Sequence, residues 1–351
     1  MTEYLPAFLV EYSDSSFTNP HEVVLPDEPK ECTGNFTHMG AKYWGFETLR
    51  HRAMTRTKQG FQFDDEAAHD FVIGLKHHSM VEEIRVSTKW FTGNQVPSIS
   101  IELIDGESVV VVVDRATLDP DADHVFKIEK LKATRCRVLC YHEGGISRVN
   151  LFGEMGDALY EQPNLLETAE ISFVSNDHYG SPAMAVAGNR SEDHMIGWES
   201  ARSGFGEQCV FSFPQPIVPE VMVVDTYLHR LNPPLSCHVY GLAGVELEAA
   251  MKQTPRWCLK FEDGTEVQPD DIQRYIKERL FLKEPVANPA KFEVMLKTPA
   301  ESPWQPLVSF ADLRPDAWHE LKLEMQQPVS HLLYTHFPNG GVHGLKVFGR
   351  G

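Results

Sequence analysis

Apolar positions along this chain come in short runs that are often β-branched, such as "VVVVV" at 109–113 and "VMVVD" at 221–225, which favours strands over helices. In the first half the pattern predicts strands over 82–90, 98–104, 108–113, 134–141 and 146–152, separated by Gly, Pro, Asp or Asn turns. A Gly-Gly pair precedes the last of them, as a tight turn requires, since glycine takes positive φ without steric cost. Many short strands with polar turns predict an all-β chain of sandwich type, and a jelly roll suits the length. The exception is "PDDIQRYIKERLFL" at 269–282, a predicted helix with Pro and Asp at its start and Ile272, Tyr275, Ile276 and Leu280 on one face.

The pattern is stated twice. "VEYSDSSF" at 10–17 is echoed by "SFVSNDHY" at 172–179. Gly45, Glu47, Thr48 and Arg50 answer to Gly197, Glu199, Ser200 and Arg202. "VSTKWFTGNQVP" (86–97) and "VDTYLHRLNPP" (224–234) align Thr88 with Thr226 and Asn94 with Asn232. "HEGGISRVNLFG" ends at Gly153 as "PNGGVHGLKVFG" ends at Gly349. Four motifs in one order predict two similar domains, 1–160 and 161–351. The linker falls near 154–168, and the second half carries an insertion over about 242–300, of the sort that loops tolerate.

Composition narrows the function. Of the 351 residues 42% are hydrophobic and 23% charged, as in a globular protein with cores to bury. A net charge of −18 argues against nucleic acid and anionic membranes as partners. No apolar run is long enough to span a bilayer, and the start lacks the basic region of a signal peptide, so the expected location is the cytoplasm. The six Cys have irregular spacing; Cys136 and Cys140 have no second pair to complete a zinc site, and no metal ligand is expected. The sequence requires no cofactor and leaves a divalent metal open. A homo-oligomer is the expected assembly.

Against this acidic background Arg50, Arg52, Arg56 and Lys58 gather directly behind Glu47 and Thr48. Such a cluster can seat a small anion, because an arginine fork acts over a few ångströms regardless of global charge.

Together, "GFETLRHR" (45–52), "HDF" (69–71), "STKWFTGNQVP" (87–97) and "HEGGISRVNLFG", with their second-half echoes, resemble the motifs of the allantoicase family nearly end to end. The resemblance implies two tandem jelly-roll, galactose-binding-like domains and hydrolysis of allantoate to ureidoglycolate and urea, in purine breakdown. Phe46 and Leu49 stand where the family has Trp and Arg, Ser87 where it has Asp, and Gly344 and Lys346 where it closes with arginines. Two other readings therefore stay open: an enzyme of this fold acting on another ureido, guanidino or small anionic substrate, and a non-catalytic binding or assembly module.

Releasing urea means protonating a poor nitrogen leaving group while water reaches the carbon, so a carboxylate or imidazole near its working pKa is needed. Glu47 is the first candidate, with His69 and Asp70 as a base and its orienting partner; adjacent strand residues point to opposite faces, so these two would need a loop to cooperate. For the substrate's carboxylate and ureido arms the candidates are Thr48, Arg50, Arg52, Thr92, Asn94 and Arg148, with Glu199, Arg202, Asp225 and Asn232 from the second half. The losses in the second half centre the expected site on the first.

Overall fold

The computed structural model describes the chain except residues 1, 17, 33, 38, 39, 42, 43, 191–196, 203, 205, 268–290 and 324–326, with the backbone alone at 37, 40 and 41. The predicted helix at 269–282 lies outside the described residues. The chain divides into two compact units, Met1–Glu161 and Gln162–Gly351.

The first unit is an antiparallel sandwich built on two long strands that bend from one layer into the other. Ala68–Ser87 pairs through its first half with Ala7–Tyr12 and through its second with Arg148–Ala158. Asp123–Tyr141 pairs along both halves of it and carries the hairpin Ser98–Asp105 and Ser108–Thr117 on its far side. The bend falls at Lys76, His77 and His78, where burial alternation lapses and the ladder shifts register near Arg135. Phe71, Ile73 and Leu75 before the bend and Val81, Ile84 and Val86 after it all enter one core with Cys136, Val138, Val149 and Leu151. The strand Ala68–Ser87 thus begins well before the stretch read at 82–90 and stops before its end, with 88–90 in a loop, while Asp123–Tyr141 begins well before the stretch read at 134–141. Their bends are polar, and polar residues interrupt the alternation that marks a strand.

The second unit repeats the plan. Glu207–Asp225 pairs through its first half with Glu170–Val174 and Val329–Phe337, and through its second with Trp318–Lys322 and Gly344–Arg350. Here the bend contains Pro214 and Pro216, which cannot donate to a ladder; the register shifts between Ser212 and Ile217. Ser236–Leu242 and Gln305–Asp312 correspond to the first unit's outer hairpin. In the first unit that hairpin turns through Gly106 and Glu107, whereas here it opens to admit 243–304. The added segment brings a helix, Leu247–Met251, and a three-stranded sheet of Arg256–Phe261, Glu266–Val267 and Phe292–Lys297. Trp257 anchors it, its indole donating to the Thr335 hydroxyl at 2.8 Å.

One loop corner recurs in both units with the same bonds. Thr88 and Thr226 are fully buried, and each hydroxyl is bonded to the turn beyond it, at Asp119 and Ala122 in one unit and at Arg314 and Ala317 in the other. Two residues on, Trp90 and Leu228 take φ of 71° and 63°, and their amides donate to the Asp121 and Asp316 carboxylates. The loop returns so that the amide of Gly145 donates to the carbonyl of Asn94 at 2.8 Å, as Gly341 does to Asn232 at 2.8 Å. A ring fills the space above each glycine: a Cβ would lie 2.1 Å from the Phe91 ring at Gly145 and 2.0 Å from the His229 ring at Gly341.

Gly145→Ala should therefore destabilise the first unit by about 3 kcal/mol, since neither ring nor backbone can retreat. Urea unfolding followed by circular dichroism measures this, and a loss below about 0.5 kcal/mol, the scale of an ordinary surface change, would contradict the packing.

Candidate functional site

At the corner of the first unit the short strand Phe46–Glu47 pairs with Gly145–Ile146. Gly45 makes the approach possible: it has φ of 59°, and a Cβ there would lie 2.3 Å from the Ile146 carbonyl oxygen. Glu47, placed beside Gly145, is 8% exposed, and its Oε2 has no hydrogen-bond partner among the described residues. Burial holds its carboxyl above the usual carboxylate range, opposed by the charge of Arg50 and a hydrogen bond from Asn94. A buried acid with one open oxygen beside an amide and an exposed guanidinium can donate or accept a proton and can bind an N–H₂ group.

Thr48 is buried and engaged with the backbone, its hydroxyl accepting from the Gly144 amide at 3.0 Å and its amide donating to the Gly144 carbonyl at 3.0 Å. Behind it lies an acid outside the expected set. Asp14 accepts from the Leu49 amide at 2.9 Å, pairs with His69 Nδ1 at 2.7 Å and meets Arg52 at 3.0 Å. Burial alone would raise the Asp14 carboxyl; the bonds from His69, Leu49 and Arg52 outweigh it and hold the group below its ordinary range. Asp14 thus ties the arginine-bearing loop to the strand that carries His69.

His69 is 2% exposed while the Asp70 side chain is 34% exposed and turns to Arg137, so the strand does set the adjacent pair on opposite faces. The imidazole's acid is Asp14, far away in sequence. Thr92 is exposed near Asn94, and Arg50 and Arg52 are exposed as well. Arg148 is buried, donating through Nε to the Asp27 carbonyl at 2.9 Å and through Nη1 to the Ser147 carbonyl at 2.7 Å. It clamps the 25–27 segment together with Asn150, which donates to the Leu25 carbonyl.

The corresponding corner of the second unit is differently furnished. Ser200 repeats the bonds of Thr48 with Gly340, Glu199 pairs with Gly341, and Arg202 is exposed. Asn176 stands where Asp14 does, accepting from the Ala201 amide at 3.2 Å. Glu207 occupies the place of His69: each directly precedes the residue whose amide donates to the equivalent serine hydroxyl, Gln208 to Ser175 and Asp70 to Ser13. Asp225 is buried and held by the Arg190 fork at 2.9 and 3.0 Å, with that guanidinium also facing the Tyr227 and Trp318 rings. Lys346 donates to the Gly188 carbonyl at 2.9 Å.

The structure therefore brings Glu47, Arg50 and Asn94 together, and His69 with Arg52 through Asp14. It sets Asp70, Arg148 and Asp225 on other partners. Asp14, Arg190, Glu207 and His229 stood outside the candidate list. Asp14 did lie within a repeated motif, "VEYSDSSF", and that recurrence was the available signal. Among the described residues no group of three or more His, Cys, Asp or Glu is placed to hold a metal ion, and no helix is long and apolar enough to cross a membrane.

Fold and site define a tandem β-sandwich protein with one ionisable corner in each repeat. The allantoicase repeat model matches residues 2–156 and 164–351, and the chain belongs to the allantoicase family. It is 24% identical to the allantoicase of Saccharomyces cerevisiae, over 97% of this chain and 90% of that one. A probable allantoicase of Pseudomonas paraeruginosa is 25% identical, over 97% of this chain and 92% of its own length. A solved allantoicase structure from Saccharomyces cerevisiae aligns with 98% of this chain and 90% of its own, at 22% identity and a TM-score of 0.34.

Glu207 supports a pH prediction. Its Oε1 has no partner among the described residues, and burial lifts the carboxyl from 4.5 to about 7 despite the Ser175 hydroxyl bonded to it. The folded state thus disfavours the charged form, and the stability available at low pH is lost as pH rises from about 4.5 through about 7. Glu207→Gln should raise stability at pH 8 by about 2 kcal/mol and change little near pH 4. Denaturant melts at both pH values check this, and an equal effect at both would contradict it.

Proposed function

We propose that the protein is an allantoicase, adding water to allantoate to release ureidoglycolate and urea. What supports this most is the Glu47 carboxyl, buried with Oε2 open between Asn94 and Arg50, in a chain whose two halves both belong to the allantoicase family. A carboxyl raised by burial parts with a proton less readily than an ordinary one, which suits it to pass one to a leaving nitrogen and, once ionised, to take one from water. In this reading Glu47 gives its proton to the departing urea nitrogen and recovers one from the attacking water. Arg50 and Arg52 seat the substrate carboxylate, which a planar fork matches best. Thr92 and Asn94 face the ureido arms.

His69 and Asp14 act at one remove by setting the angle of Arg52 and of the loop behind Glu47. Asp70 and Arg148 hold the scaffold, Asp70 beside Arg137 and Arg148 on the Asp27 carbonyl. In the second repeat Asp225 does the same with Arg190, while Glu199, Arg202 and Asn232 border the corner around Gly341. The six cysteines are all free and buried, which suits a reducing compartment such as the cytosol. Val109, Val110 and Val111 are exposed on the edge strand Ser108–Thr117, an apolar surface suited to a second copy of the chain in a homo-oligomer.

Glu47→Gln should lower urea release from allantoate about 10²-fold with the fold retained, because the amide keeps the shape and loses the proton. Unchanged turnover by a folded Gln variant would remove Glu47 from the chemistry. Arg50→Ala should raise KM for allantoate by about tenfold with a smaller change in kcat, as loss of a charge-assisted contact to a carboxylate predicts. A fall in kcat at constant KM would instead place Arg50 in the proton-transfer step.

A further inference from the structure

The corner around Gly341 differs from its first-unit counterpart in one residue that packing does not explain. His229 and Phe91 hold the same backbone position: the His229 amide donates to the Thr226 carbonyl at 2.9 Å, the Phe91 amide to the Thr88 carbonyl at 3.0 Å. Each ring covers the glycine of its own unit so closely that a Cβ there would collide with it. A hydrocarbon ring meets that packing need in full. An imidazole buried to 9% exposure adds polar nitrogens that must be satisfied or used.

One nitrogen is satisfied. His229 Nδ1 lies 3.3 Å from Asn232 Oδ1, and since that oxygen only accepts, Nδ1 carries the proton and Nε2 presents a lone pair. The ring's one side-chain hydrogen bond among the described residues is this Nδ1 contact, and Nε2 is not one of the buried atoms left without a partner, so its lone pair is open to solvent and to a ligand. Glu199 flanks the same glycine, being the strand partner of Gly341. Asp225 and His343, the other ionisable groups felt by the ring, are engaged: Asp225 with Arg190, and His343 through Nε2 with the Asn189 carbonyl at 2.6 Å. Burial lowers the proton affinity of His229, opposed by the Asn232 bond and the charges of Glu199 and Asp225, so the ring is neutral near pH 7.

We propose that the second repeat holds a second ureide site of its own, in which His229 Nε2 is the proton-transferring group and Glu199 binds the ureido N–H₂. The proposal rests on the allantoate reading above. Because the central carbon is saturated, its C–N bond to the departing urea breaks as the water oxygen bonds to it. Nε2 takes the proton that water loses and passes it to the departing urea nitrogen, restoring the neutral imidazole.

The experiment compares unaltered protein, Glu47→Gln, His229→Phe and the double variant for urea release from allantoate. Ring-¹⁵N-labelled histidine spectra of the unaltered protein are recorded as allantoate is added. His229→Phe should keep its melting temperature, because Phe91 already fills this place in the first repeat. Expected are a residual activity in Glu47→Gln that falls at least about tenfold in the double variant, and a His229 ring signal that moves with allantoate. The activity surviving in Glu47→Gln should also fall in acid below the ordinary imidazole range. A double variant equal to Glu47→Gln, with an unmoved His229 signal, overturns the second site while leaving the allantoate reading in place. Unaltered protein that releases no urea overturns the allantoate reading and proton transfer by His229, and an unmoved signal then removes the ureide site too.

Discussion

The hydrogen bond from a glycine amide to the carbonyl of an asparagine in the facing loop organises each repeat. It needs the bare glycine, because a ring occupies the space where a Cβ would stand. It also needs the loop to turn back, which the buried Thr88 and Thr226 hydroxyls and the aspartate-capped Trp90 and Leu228 enforce. Left-handed φ at such residues costs about 1 kcal/mol each, and the corner offsets it with bonds that no water can replace. Once that bond is made, the strand pair beside it sets Glu47 or Glu199 against the glycine. The candidate carboxylate of each repeat is thus positioned by the same contact that closes the fold.

Around that shared corner the two repeats distribute charge in different ways. In the first, an acid and an imidazole meet as Asp14 and His69, and the pair grips the arginine-bearing loop. In the second, Glu207 takes the imidazole's place, and His336 lies opposite it in register on the neighbouring strand, its proton affinity pushed down to about 3 by burial. Packing compensates in the same region: Phe71 faces Val138 in one unit, whereas Cys209 faces Tyr334 in the other. The sum of large and small is kept while its order is reversed, as close-packed interiors demand. The scaffold and the charged groups can therefore vary separately, and this chain's second repeat keeps its sandwich although its corner is furnished differently.

How much of this was legible beforehand follows from how far each interaction reaches along the chain. The strand class, the paired repeats and the Gly-Gly turns lie in local patterns, and those patterns recur because the same backbone bonds are made twice. Glu47, Arg50 and Asn94 could be nominated because each sits in a repeated motif. The bends at Lys76–His78 and Phe213–Pro216 could not, since polar or proline-bearing stretches read as strand ends until neighbouring strands are seen to run through them.

The pairing of charges was decided by the tertiary structure alone. Period-two alternation separates His69 from Asp70 and leaves the imidazole to find Asp14 across the sheet. Asp225, restored to its family position, meets Arg190 from a different loop. His229 falls opposite Phe91 when Thr226 and Asn232 are aligned with Thr88 and Asn94; its place over Gly341, beside Asn232 and Glu199, was set by the tertiary fold. The sequence by itself determined the backbone's hydrogen-bonding plan, because that plan is local and repeated. Which acid meets which base was left to the tertiary fold, because an ion pair needs only proximity in space, and nothing in chain order encodes it.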